Sequence, residues 1–560
     1  MRFLQFHTTA FALIALSAAT SLPAQTRDTY DSGGALPPDQ AAYDVVYYDL
    51  DVRVEPADSS ISGTLTMTAL LEAPEHTIGL DLDPLLDVTE VRAGTGGDFV
   101  RVNWERDGGR IRIDLPADAS VGQTFAVSVD YGGQPRVAPR PPWDGGFTWA
   151  RTPDGSPWIG TSNQMIGADV WWPVKDHVSD KPDSMTIRVT VPEPLVVATN
   201  GRLRGVAETE PGYRTYDWFV STPISSYNVS LNIAPYVQLD TALTSLTGET
   251  FPISFWVLPE DEAKGRVLLD EIVDHVRWFE IVIGPYPFRA DKYGVAQTPY
   301  LGMEHQSIIA YGANFSNGAM TGGIDWGFDA LHHHELSHEW WGNMLTNEDW
   351  KDMWVHEGFG TYMQALYLED KQGIDRYHAY MNSFVHRIGN QKPVAPRETT
   401  SAQEIYAGHD IYFKGAWVLH TLRYLIGNDA LRLSLRRMAY PTPEIWRASD
   451  GTQVRFVDTD DYIATVEEVS ETELDWFFDV YVHSAELPTL ELTRREGALD
   501  LAWSAPDGLP FPMPVDVTVD GQTQRVEMPN GRATVEVPAG ATVAVDPEGW
   551  ILKTEMPSGR

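Results

Sequence analysis

In "YDLDVRVEP" Leu50, Val52 and Val54 alternate with Asp49, Asp51 and Arg53, and in "SISGTLTMTALL" Ile61, Leu65 and Met67 alternate with Ser62, Thr64, Thr66 and Thr68. A period of two sends successive side chains to opposite faces, so each stretch predicts a strand with one buried face. "RIRIDL" and "FAVSVDY" repeat the pattern, and residues 25–237 are expected to form an N-terminal antiparallel β domain behind a polar lead. From residue 238 the apolar spacing lengthens to that of a helix in "DEAKGRVLLDEIVDHVRWFEIVIG", "FDALHHHELSHEWWGNML", "VHEGFGTYMQALYLEDK" and "KGAWVLHTLRYLIG". Residues 238–486 therefore predict a mainly α domain. After "ELDWFFDVYVHSAELP" short alternating runs return between Gly, Pro and Asp turns, and residues 487–560 predict a small C-terminal β sandwich. The expected class is multidomain α+β.

Composition supports several folded cores: 43% of the 560 residues are hydrophobic, with 19 Trp, 23 Tyr and 20 Phe, more than one ordinary core accommodates. The net charge of −38 repels phosphate backbones and anionic lipid, so neither nucleic acid nor an anionic membrane is an expected partner.

The start of the chain changes the picture of where it works. Arg2, an apolar stretch from Phe11 to Ala19, and small residues up to Ala24 predict a secretory signal peptide over 1–24. A membrane anchor needs roughly 20 apolar residues, and no later segment is long enough to span a bilayer, so no stable membrane insertion is expected. With no cysteine in the sequence there are no disulfides and no thiolate ligands. An exported chain without disulfides points to a bacterial periplasm or the extracellular space.

The chemistry concentrates in "LHHHELSHEWWGN", residues 331–343. Only His334-Glu335-Leu336-Ser337-His338 has the form H-E-x-x-H. Residues four apart share a helix face, so His334 and His338 can offer two imidazole nitrogens to one ion, while Glu335 reaches a water beside it. A catalytic zinc takes a third protein ligand and keeps one position open. Glu357, nineteen positions after His338 on the next predicted helix, is the candidate, against the plainer reading of a surface carboxylate. His332 and His333 lack a partner at ligand spacing, and packing is expected of them.

His334, Glu335, His338 and Glu357, with "HELSHEWWGN" and "EGFGTY", resemble the gluzincin aminopeptidases of the aminopeptidase N type, a family that also includes a leukotriene epoxide hydrolase. The resemblance implies a thermolysin-like catalytic domain holding one Zn²⁺ per chain on His334, His338 and Glu357, with Glu335 as general base. "YLGMEHQS" resembles the family's G-x-M-E-N strand, which makes Glu304 the binder of the substrate's α-amine, with His305 standing where the family has Asn. "SNQMIGADVWWPVKD" resembles the β-domain segment that adds a Gln or Glu to the same amine, and counting back from Pro173 gives Gln164. "IYFKGAWVLHTL" resembles the Y-x-K-G element and makes Tyr412 the phenol that stabilises the tetrahedral intermediate.

The implied activity is removal of the N-terminal residue from peptide substrates with a free α-amine. Family members often continue into a large helical domain over the cavity, and a homodimer is one arrangement that would cap the site in its place. Three other readings stay open at this point. An endopeptidase would not depend on Glu304, an epoxide hydrolase would need an apolar lipid channel, and a binding protein on a degenerate scaffold would have lost a ligand or the base.

Overall fold

The computed structural model describes residues 30–554; the predicted signal peptide lies outside the described residues. An eight-stranded sheet runs in the order Arg202–Glu210, Tyr213–Val220, Ser184–Pro192, Tyr43–Glu55, Ser60–Leu71, Thr124–Gly133, Leu86–Gly94 and Val100–Arg101. The alternation read from the sequence is its organising feature. Leu50, Val52, Val54, Leu65 and Met67 are fully buried, and Leu50 pairs with Leu65 across the antiparallel ladder. One pairing departs from the antiparallel expectation: Tyr43–Glu55 lies parallel to Ser184–Pro192, with Leu50 beside Ile187. A four-stranded sheet is made of Val196–Ala198, Asn232–Ala234, Pro157–Ser162 and Gly146–Arg151.

The middle of the chain is more mixed than its helical patterns imply. A five-stranded sheet orders Val237–Thr244, Thr250–Val257, Tyr293–Gln297, Ile309–Tyr311 and Gly302–Met303. Its inner pairs are parallel, and Gly302–Met303 returns antiparallel on the edge. Tyr293–Gln297 is buried at every position, so it carries no alternation by which a strand could be recognised. Helices Glu262–Val282, Ala330–Ser337, Trp354–Gln372 and Asp410–Ile426 match the four helical patterns, with one shortened.

That helix ends at Ser337, whereas the apolar pattern continues to Met344. Beyond Ser337 the bonding first tightens, with His338, Glu339 and Trp340 donating three residues back, and then widens: Asn343, Met344 and Leu345 donate to the carbonyls of His338, Glu339 and Trp340, five residues back. The carbonyl of Trp341 is engaged by His338 Nδ1 at 3.0 Å. Trp340 and Trp341 are both fully buried, so burial on all sides imitates a helical period that the backbone does not keep.

The C-terminal part holds two three-stranded sheets, Thr489–Arg495/Ala498–Ser504/Arg532–Glu536 and Gln522–Val526/Val515–Val519/Val543–Val545. Trp503 links them: its indole donates to Met513 O at 2.8 Å and its ring meets Phe511 edge-on. Tyr424 and Tyr481 tie this unit to the helices through Asp516 and Leu552 O. Among the described residues no helix is long and apolar enough to cross a membrane.

Candidate active site

Helix Ala330–Ser337 is buried throughout and is capped by Asp329, whose carboxylate accepts from His332 N at 3.0 Å. Its three histidines and His338, which caps its C-terminus, divide by face. His332 turns toward the five-stranded sheet, with Nε2 2.8 Å from Tyr293 Oη and Nδ1 2.9 Å from His275 Nδ1. His333 packs among Tyr367, Phe279 and Trp278, with ring centroids 4.7, 4.8 and 5.3 Å away. His334 and His338 point the other way, toward Glu357 in the first turn of helix Trp354–Gln372, where the helix dipole favours a carboxylate.

Three atoms form a small triangle: His334 Nε2 lies 3.3 Å from His338 Nε2 and 3.4 Å from Glu357 Oε2, which is 3.5 Å from His338 Nε2. Bonds of 2.0–2.1 Å at tetrahedral angles would separate ligand atoms by about 3.3 Å, so the triangle matches one face of a zinc tetrahedron. The second oxygen of Glu357 accepts from Tyr406 Oη at 2.8 Å. With Nδ1 of His338 donating to Trp341 O, its Nε2 is left as the lone-pair nitrogen a metal requires. The donor set has the matching charge: Glu304, Glu335 and Glu357 are all buried around two imidazoles, an excess of negative charge that a dication would neutralise.

The titration behaviour of these groups reflects that crowding. Burial, and then Glu304, hold the Glu335 carboxyl well above the usual carboxylate range. Burial also pushes Glu304 up to about 7, against the opposing pull of His338. For His338 burial acts downward, but the bond and charge of Glu357, with Glu304 and Glu335 behind it, prevail and push it up to about 10.

Glu335 sits one residue along the helix from His334, within 4.8 Å of both Glu304 and His338. Edge strand Gly302–Met303 makes room for it, because a Cβ at Gly302 would stand 2.6 Å from Glu335 Oε1. The residue after that strand is Glu304, 3% exposed. Gln164 reaches it from the first β part, its Nε2 donating to Glu304 Oε1. Turned the other way, the amide would set two oxygens face to face, so its carbonyl is the group left to accept. Asn163 pins this loop through Tyr227 O and Val229 O, both at 3.2 Å, and Asn343 holds Glu304 O at 3.0 Å. Tyr412 lies in the first turn of helix Asp410–Ile426, its ring 6.2 Å from that of His334. Burial and the charge of Glu357 hold its hydroxyl protonated well above the usual range. That helix crosses Trp354–Gln372 at two glycines, where a Cβ on Gly358 or Gly415 would meet the other's Cα at 2.9 Å.

All seven residues singled out in the sequence thus come together. Tyr406 and Asn343 join the site without a sequence signal: their neighbours in sequence carry no spacing that marks them, and only "EIYAGHDIYF", with a second tyrosine six residues before Tyr412, offers a trace of Tyr406. His305 is fully buried, neither ring nitrogen has a hydrogen-bond partner among the described residues, and burial pulls it down to about 3.

The comparisons with known proteins fall in the same place. Residues 279–481 match the peptidase family M1 domain. Endoplasmic reticulum aminopeptidase 1 of Homo sapiens is 23% identical over 408 residues, covering 69% of this chain and 42% of that protein. Leucine aminopeptidase 2 of Saccharomyces cerevisiae is 26% identical over 339 residues, covering 57% and 45%. The chain thus spans less than half the length of these curated relatives. An M1 zinc metallopeptidase from Deinococcus radiodurans superimposes with a TM-score of 0.63 at 24% identity, over 80% of this chain and 94% of that one. A mutant of that protein was crystallised bound to a Tyr-Ser-Ala substrate. The fold is that of the M1 zinc metallopeptidases.

Proposed function

We propose that this chain, which carries a peptidase family M1 domain over residues 279–481, is a zinc-dependent aminopeptidase that hydrolyses the first peptide bond of peptides with a free α-amine. The observation that carries this reading is the joining of Gln164 to Glu304 beside the His334–His338–Glu357 triangle. The Gln164–Glu304 pair can bind an ammonium group while the triangle holds the metal.

His334, His338 and Glu357 hold one Zn²⁺. When bound, zinc would act as a Lewis acid that lowers a water's pKa to roughly 7. The Glu335 carboxylate takes the proton of the attacking water and delivers it to the leaving amine nitrogen. The Tyr412 hydroxyl donates to the carbonyl oxygen as charge develops there, which favours the transition state over the substrate. Glu304 and the Gln164 carbonyl bind the α-ammonium and fix the first peptide bond against Glu335. An N-blocked peptide would leave the buried Glu304 without its partner, at a cost of a few kcal/mol.

The same reading divides the chain at residues 237 and 486, into the β part that supplies Gln164, the zinc catalytic part and the C-terminal strands. It places the protein outside the cytoplasm once residues 1–24 are removed, working alone or as a homodimer. The test is a peptide pool incubated with the zinc-loaded protein, beside the same pool N-acetylated, with products read by mass spectrometry. Stepwise loss of N-terminal residues from the free pool alone is expected. Internal cuts in both pools would make this an endopeptidase.

A further inference from the structure

Five residues ahead of the first large sheet lie across this site and take no part in the chemistry above. Within Tyr30–Gly34, Ser32 N–H donates to the carbonyl of Met165, next to Gln164, at 3.2 Å, while Ser32 O accepts from Ala402 N at 2.9 Å. Gly34 N donates to Thr400 O at 3.3 Å, Gln403 N donates to Asp31 Oδ1 at 2.9 Å, and Gln403 Nε2 reaches Tyr30 O. The β part grips the same segment: the Arg136 guanidinium lies 3.8 Å over the Tyr30 ring, and His177 Nε2 is 3.0 Å from Gly34 O. Ala402–Ile405 is a single helical turn that ends at Tyr406, the phenol bonded to Glu357. A short path of hydrogen bonds and backbone therefore runs from the amine anchor to the metal cluster through the one peptide segment at Ser32.

A second path runs through packing. Gly33 has φ +89°, and a Cβ there would stand 2.1 Å from Trp350 Cδ1. Trp350 is buried, with its ring 6.3 Å from Tyr406 and 5.9 Å from Tyr227. Both Gln164 and Tyr406 are on connecting segments, which are mobile unless tied down, and a misplacement of about 1 Å in a group that positions the substrate, even one far from the chemistry, can cost 10²-fold.

We propose that Tyr30–Gly34 is a positioning strap that sets the distance between the amine anchor at Gln164 and the Tyr406–Glu357 edge of the metal cluster, and so helps confine the enzyme to unblocked peptides. This inference rests on the aminopeptidase reading. The strap touches neither substrate nor metal and acts through Met165, Ala402 and Trp350.

The test uses the full zinc-loaded chain with Ser32→Pro, which removes the N–H to Met165; Gly33→Val, which drives a side chain into Trp350; Asp31→Ala, which removes the acceptor for Gln403 N; and Ser32→Ala as the conservative control. KM for an unblocked tripeptide is expected to rise roughly 10- to 100-fold in the first two and less in the third. The kcat should stay within a few-fold, cleavage of the N-acetylated peptide should not change, and Ser32→Ala should match wild type. In a Glu335→Gln background, calorimetry with the unblocked tripeptide should show the same loss of affinity. Unchanged KM and affinity in Asp31→Ala and in whichever of the other two folds, with a wild type that still rejects blocked peptides, would overturn the strap alone. A wild type that cleaves both peptides equally would refute the aminopeptidase reading and the strap's role in selectivity with it.

Discussion

Replacing Glu304 with Gln isolates the electrostatic part of the amine anchor. The side chain keeps its size and an oxygen for Gln164 Nε2 to donate to, so the pocket wall is preserved and only the charge goes. Glu304 is 3% exposed, which makes its pairing with an ammonium largely desolvated. Removing one partner of a buried, hydrogen-bonded charge pair costs about 2–5 kcal/mol, equivalent to a drop of roughly 30-fold to a few thousand-fold in binding the transition state. The assay is kcat/KM for an unblocked tripeptide and for its N-acetylated form, in wild type and Glu304→Gln. The unblocked rate should fall by that factor while the acetylated rate does not, so the discrimination collapses by the same ratio. An equal fall on both substrates would mean that Glu304 acts on the metal or the base, and a fall below about threefold would mean that no charge pair forms; either outcome refutes the anchor.

Tyr406→Phe removes the donor to Glu357 Oε1 and should weaken zinc binding about 10- to 100-fold, read by chelator competition; unchanged affinity would show that Glu357 needs no second partner. Gly415→Val should cost about 1–3 kcal/mol in denaturant unfolding and lower kcat, because the new side chain meets the Gly358 backbone, which cannot swing aside, at the crossing that sets Tyr412 against Glu357; a wild-type kcat would uncouple that crossing from catalysis. Burial pulls both His275 and His420 down to about 3, while the unfolded chain binds those protons near pH 6.5. Their stabilising effect is present above about pH 6.5 and is lost as pH falls toward 3, at about 1.4 kcal/mol per pH unit for each. The slope of unfolding free energy against pH, measured between pH 6 and 4, should be smaller in His420→Gln than in wild type by about 1.4 kcal/mol per pH unit; an identical slope would refute the assignment.

Features with a short period or a fixed spacing are legible in the amino-acid order alone. Leu50, Val52 and Val54 declared their strand because one face meets a core and the other water. His334 and His338 declared a metal face because helix geometry brings residues four apart together, and Glu357, on the next predicted helix, was the third-ligand candidate that the family resemblance then supported. The rest lies between segments distant in the chain, and folding alone brings it together. The buried strand Tyr293–Gln297 shows no alternation because neither face meets water, and the end of the helix at Ser337 was masked by Trp340 and Trp341, buried on opposite pretexts of the same apolar pattern. Tyr406 on Glu357, Gly358 against Gly415, and Ser32 between Met165 and Ala402 are contacts across tens to hundreds of positions. No local pattern encodes them, because a hydrogen bond or a close backbone approach depends on where the fold brings two segments, not on what precedes either of them.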